Sequence, residues 1–194
     1  MNHTHSSESR SPLKRRARPV RIYLAIILLV AFAGRLLGQI TSADEYEIRA
    51  AMLINLTKFI DWPTRKTDAS HPQLLICILG SDSIGPIAER YAQNQSVDGK
   101  SLQVRHINTV EAASGCNLLY VGVGEQKHVD PVVEELTKKG VLTVSENSNA
   151  SNPYQVIGLP TLNDHVHIDI NLAAAQRTGV TISSKLLRLA TVSK

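Results

Sequence analysis

The sequence predicts an α/β protein, a single domain with a layered central sheet and helices on both faces. Three observations carry this reading: apolar runs of strand length, amphipathic segments of helical period alternating with them, and glycine or proline at most junctions. The chain of 194 residues is near the length of one domain, and 43% hydrophobic with 20% charged residues is a globular composition. Aromatic residues make up only 4%, with Trp62 the single tryptophan, so aliphatic side chains must build the core. A nucleic-acid surface of stacked aromatic platforms has little to be made from.

Residues 1–43 stand apart from the rest. A polar lead is followed by a basic cluster over 14–21 and then by thirteen uncharged residues, 22–34. That stretch is too short for the roughly 30 Å of hydrocarbon, which needs about 20 residues, but it suits the core of a secretory signal. We therefore read 1–43 as a signal peptide with the mature N-terminal tail, 44–194 as the domain, and the periplasm as its location. Cleavage is expected between Gly38 and Ala43, where Thr41, Ser42 and Ala43 are small; the lack of an Ala-x-Ala site leaves an uncleaved anchor as the alternative. The same segment holds seven of the 21 Lys and Arg but only Glu8 of the 17 Asp and Glu, so the remainder carries a net charge of about −2. The overall charge of +4 thus gives no argument for a nucleic-acid or anionic-membrane partner.

Within the domain, Ser42 and Glu45 read as a capping box ahead of Tyr46, Ala50, Leu53, Leu56 and Ile60, which predicts a helix over 44–59. It must stop before Pro63. Trp62 reads as a staple holding this helix to the sheet, with an exposed aromatic anchor as the alternative. A polar loop over 64–73 leads to the continuous apolar run 74–79, ended by Gly80, which predicts a strand buried on both faces. There follow a short helix over 87–91, strands over 102–106 and 118–123, a helix opened by Asp130 and Pro131 and closed by Gly140, and a strand over 141–144. In the last third, 155–158 and 166–171 flank the turn residues Asn163 and Asp164 as a hairpin would. A helix over 172–177 ends at Gly179, and an extended piece over 180–182 precedes a closing helix over 184–190.

Little in the chain signals catalysis. Residues 80–85 sit where a phosphate loop would, between strand and helix, but lack its lysine and glycine spacing, and Gly122-Val123-Gly124 falls short of a dinucleotide fingerprint. Gly-x-Ser-x-Gly, Ser-x-x-Lys and His-Glu-x-x-His do not occur. No cofactor is expected. His165, His167 and Asp169 alternate with apolar residues and would share one face of a strand, which keeps a small-ligand binding module or a weak metal-dependent enzyme as the alternative to a binding or regulatory role. In an oxidising compartment Cys77 and Cys116 tend to be bridged; joined, they close a loop of about 40 residues, worth roughly 4 kcal/mol of chain entropy. Two unpaired buried thiols are the alternative.

Two segments carry a recognisable pattern: Glu45-Tyr-Glu-Ile-Arg-Ala-Ala-Met-Leu-Ile-Asn-Leu-Thr-Lys-Phe-Ile-Asp-Trp-Pro63, and Val166-His-Ile-Asp-Ile-Asn-Leu-Ala-Ala-Ala-Gln-Arg-Thr-Gly-Val-Thr-Ile-Ser-Ser-Lys-Leu-Leu-Arg-Leu-Ala190. With Cys77-Ile-Leu-Gly80 between them, they resemble the YfiR family of bacterial periplasmic proteins over about residues 43–192. The resemblance implies a non-catalytic protein that binds the periplasmic sensor domain of an inner-membrane diguanylate cyclase, represses cyclic-di-GMP synthesis and so controls biofilm formation. A sensor kinase is the other membrane partner it allows, and an outer-membrane lipoprotein antagonist and a homodimer are further candidates. It also implies that Cys77 and Cys116 form the structural disulfide of the family, while a second pair found in its best-known member is missing here. Asp169, Ile170, Asn171 and Arg177 are the partner-binding candidates, polar groups around an apolar centre of Ile168, Ile170 and Leu172. The alternative is that the apolar residues are core and Arg177 a surface charge.

Overall fold

The computed structural model describes residues 42–63, 73–80, 83–122, 124–147 and 152–193. The signal-peptide reading and most of the 64–73 loop fall outside the described residues. Among those described, no helix is long and apolar enough to cross a membrane.

The apolar run expected as a buried strand is β2 (Gln73–Leu79), and it sits in the middle of the sheet. It pairs in parallel with β4 (Lys100–Ile107) on one side and β5 (Leu118–Val121) on the other. Beyond β5 come β6 (Leu142–Ser145) and β7 (Ile157–Gly158), also parallel. β10 (Asp169–Asn171) then runs antiparallel to β7, and β12 (Thr191–Ser193) lies parallel to β10 at the edge. At the opposite edge β3 (Ser96–Val97) folds back on β4, completing an eight-stranded mixed sheet.

Because successive residues of a strand point to opposite faces, β2 feeds two cores. Leu74, Ile76 and Ile78 meet Leu118, Tyr120, Leu142, Val144 and Ile157 under α1 (Ser42–Leu56), α2 (Ile84–Ala92) and α5 (Leu172–Thr178). Cys77 and Leu79 join Leu119 and Val121 on the other face, beneath a 3-10 turn (Val110–Gly115), α3 (Gln126–Val129) and α4 (Val133–Lys138). Helices therefore cover both faces, as the alternating pattern predicts.

The departures are local and have physical causes. The helix expected to open at Asp130 and Pro131 starts later, as α4, and a further helical turn, α3, precedes it; Pro131 lies in the turn between the two and has no N–H to join them into one helix. Asn163 and Asp164, at φ 51° and 60°, do form the hairpin turn, but between β8 (Thr161–Leu162) and β9 (His165–Val166). The ladder breaks at Pro160, whose carbonyl accepts from His167 N at 2.8 Å, and resumes as β7 and β10. The closing helix, α6 (Ser184–Leu187), stops short of residue 190. Thr191 instead donates its N–H to Ile168 O at 2.8 Å, and β12 occupies the side of β10 that α6 leaves open.

A two-residue ribbon joins the ends of the domain: β1 (Ile60–Asp61) pairs antiparallel with β11 (Thr181–Ile182). Trp62 turns back onto the end of α1, donating Nε1–H to Thr57 O at 3.0 Å while its ring packs on the first core. This is the staple arrangement.

Candidate functional site

The carboxyl ends of β5, β6 and β7 point toward α1, and polar side chains are buried there. Arg49, 6% exposed, donates Nε–H to Leu159 O at 3.2 Å and Nη2–H to Glu45 Oε1 at 2.5 Å and Thr161 Oγ1 at 2.8 Å. Thr161 Oγ1 in turn donates to Glu45 Oε1. The other guanidinium nitrogen, Nη1, faces Glu146 Oε2 at 3.9 Å, and Glu146 accepts from the Tyr120 hydroxyl at 2.8 Å. Burial, and then the adjacent Glu146 carboxylate, push the Tyr120 hydroxyl far above its ordinary value of 10.0. Tyr120 thus stays a neutral donor.

This network clamps α1 to the strand ends and to the β8–β9 hairpin. It engages the Glu45 carboxylate, the residue expected in a capping box, through Arg49 and Thr161. The sequence reading passed over it, although one signal was present: Arg49 lies three residues after Tyr46 and four before Leu53, on the apolar stripe of its helix. A charge on a stripe facing the core requires a partner.

The four partner-binding candidates have different places. Ile170 is 1% exposed and belongs to the core. Asp169 and Asn171 flank it on β10, between β7 and β12, and Asn171 Oδ1 caps α5 by accepting from Ala174 N at 3.0 Å. Arg177, on α5, is exposed; its Nη1 donates to Pro153 O at 2.7 Å and its guanidinium lies 5.4 Å from the centre of the Tyr154 ring. A groove of about 300 Å³ opens between Arg177, Tyr154, Glu134, Thr137 and Lys138. Hydrogen bonds from Lys138 and Tyr154 hold the Glu134 carboxyl below its ordinary range.

His165 and His167 are exposed and Asp169 is half-buried; the strand that was expected to align them is broken between Val166 and Asp169. Among the described residues, no three His, Cys, Asp or Glu side chains converge as a metal site. The two cysteines are joined. Cys77 on β2 and Cys116 just before β5 form a disulfide with a Cα–Cα distance of 5.9 Å, and both residues are fully buried in the second core.

The described elements coincide with a known sequence family. The YfiR/HmsC-like domain model (DUF4154) matches residues 46–191, from α1 to the first residue of β12. The chain belongs to the YfiR/HmsC-like family. No curated protein matches the sequence. Among solved structures, a conserved domain protein from Vibrio cholerae O1 biovar El Tor is similar, with a TM-score of 0.49 and 12% identity over 75% of this chain. The YfiR/HmsC-like chain spans 60% of that protein's length.

Proposed function

We propose that this YfiR/HmsC-like protein is exported by residues 1–43, acts without catalysis in the periplasm, and binds the periplasmic sensor domain of an inner-membrane diguanylate cyclase to hold cyclic-di-GMP synthesis down. The observation that carries this reading is the family match over residues 46–191, which takes in the described strands of the sheet as far as the first residue of β12. The buried polar groups read as structural, since Arg49, Glu45, Thr161, Glu146 and Tyr120 answer one another internally. We place the partner surface on the C-terminal segment, where Arg177 is the exposed member of the four candidates.

The test is deletion of the protein in a strain that keeps its membrane diguanylate cyclases, together with capture of a cyclase from membranes on the tagged exported chain. Raised cyclic-di-GMP and specific capture are expected. Unchanged cyclic-di-GMP with no capture refutes the reading. Arg177→Glu should raise cyclic-di-GMP, while loss of its contacts to Pro153 O and the Tyr154 ring should lower the stability of the purified protein by about 1 kcal/mol and leave it folded.

A further inference from the structure

β10 has a strand on each side, so its backbone is unavailable to a partner; among the described residues the free edge on this side of the sheet lies one strand further out, at β12. Thr191 turns its N–H toward β10, so the N–H and C=O of Val192, one residue on, face the open side. All three residues of β12 are exposed, Val192 at 37%, and Leu189 in the turn before it is 74% exposed. An open strand edge beside a large exposed leucine is a ready template for another strand.

The charges around this edge choose the occupant. Lys185 and Arg188 are exposed and make no ion pair among the described residues, and no Asp or Glu occurs over 182–193. A second copy pairing along the same edge would bring a further Lys185 and Arg188 to it, so like charges oppose self-pairing. An extended segment carrying Asp or Glu meets opposite charge along the same strip.

We propose that the outer edge of β12, flanked by Lys185, Arg188 and Leu189, takes an extended acidic segment of the membrane cyclase's periplasmic domain as one further strand of the sheet. This rests on the regulatory reading above and gives it a location. Backbone pairing through Val192 supplies register, Leu189 supplies the apolar contact, and the two cations select the acidic strand.

The experiment titrates the purified periplasmic domain of the cyclase against the exported chain, as wild type, as Arg188→Glu with Leu189→Glu, and as Val192→Pro. Thermal melting of each variant and the mass of the free chain in solution are measured alongside. The double substitution changes only exposed side chains, and Val192→Pro removes an N–H that β10 does not use. At least a tenfold loss of affinity in both variants is expected, with melts retained and wild-type binding weakened as salt rises from about 0.05 to about 0.5 M. Should Val192→Pro fail to fold, the double variant decides. Wild-type binding with undiminished variant binding overturns the edge assignment and leaves the regulatory reading standing; absence of wild-type binding overturns both. Substitutions that change the mass of the free chain and leave cyclase binding intact assign the edge to a second copy, which also overturns the acidic partner.

Discussion

Arg49→Met keeps the aliphatic length of the side chain and deletes the guanidinium, so it isolates the polar clamp from packing. The Arg49 side chain is 8% exposed, that of Glu146 3%, and that of Glu45 30%. Loss of the guanidinium leaves Leu159 O without its donor and Glu146 with the Tyr120 hydroxyl as its neighbour in the network. Removing one partner of a buried charge costs about 3–5 kcal/mol, far more than the roughly 0–1 kcal/mol of an exposed pair. The Glu45 contact is partly open to solvent and adds little to that figure. For a domain of this size each kcal/mol lowers Tm by about 2–4 °C, so a fall of about 6–20 °C is expected. Chemical denaturation of wild type, Arg49→Met, Glu146→Gln and the double variant gives the pairwise coupling, expected above about 1 kcal/mol. A loss below about 1 kcal/mol with additive single variants would show that the network is solvated and does not clamp α1.

Other outcomes test separate parts of the fold. Replacing Cys77 and Cys116 together by Ala should cost about 4 kcal/mol, the chain entropy of the closed loop, whereas reductant added to the folded protein should leave the buried bridge intact; free-thiol titration before and after denaturation checks the second point. The hydroxyl of Tyr120 cannot ionise in the folded state, while in the unfolded chain it ionises near 10.0, so its contribution is fully present below that pH and lost as pH rises above it. Tyr120→Phe should make the alkaline decline in stability shallower by about 1.4 kcal/mol per pH unit, and an unchanged slope would show the hydroxyl to be accessible. Gly179→Ala should destabilise by about 1 kcal/mol, because Gly179 ends α5 at φ 75° with open space around its Cα, so backbone conformation is the only cost.

What the sequence by itself determined about this protein is what a stretch of about ten residues encodes: the apolar run of β2, the helical stripe of α1, the Asn163-Asp164 turn and the Gly179 stop. These signals are steric and periodic, so neighbours in the chain suffice to set them. The quoted segments also carried the family. Only the tertiary structure decided that Arg49 meets Leu159, 110 residues away, and that Ile170 lies in the core while Arg177 stays in solvent. It also ended the closing helix at Leu187, short of the expected residue 190, and paired the residues after it as β12. The partner of a buried charge, and the availability of a strand edge, depend on which strands lie side by side. That order arises from burying two apolar faces at once, and no local run of residues contains it.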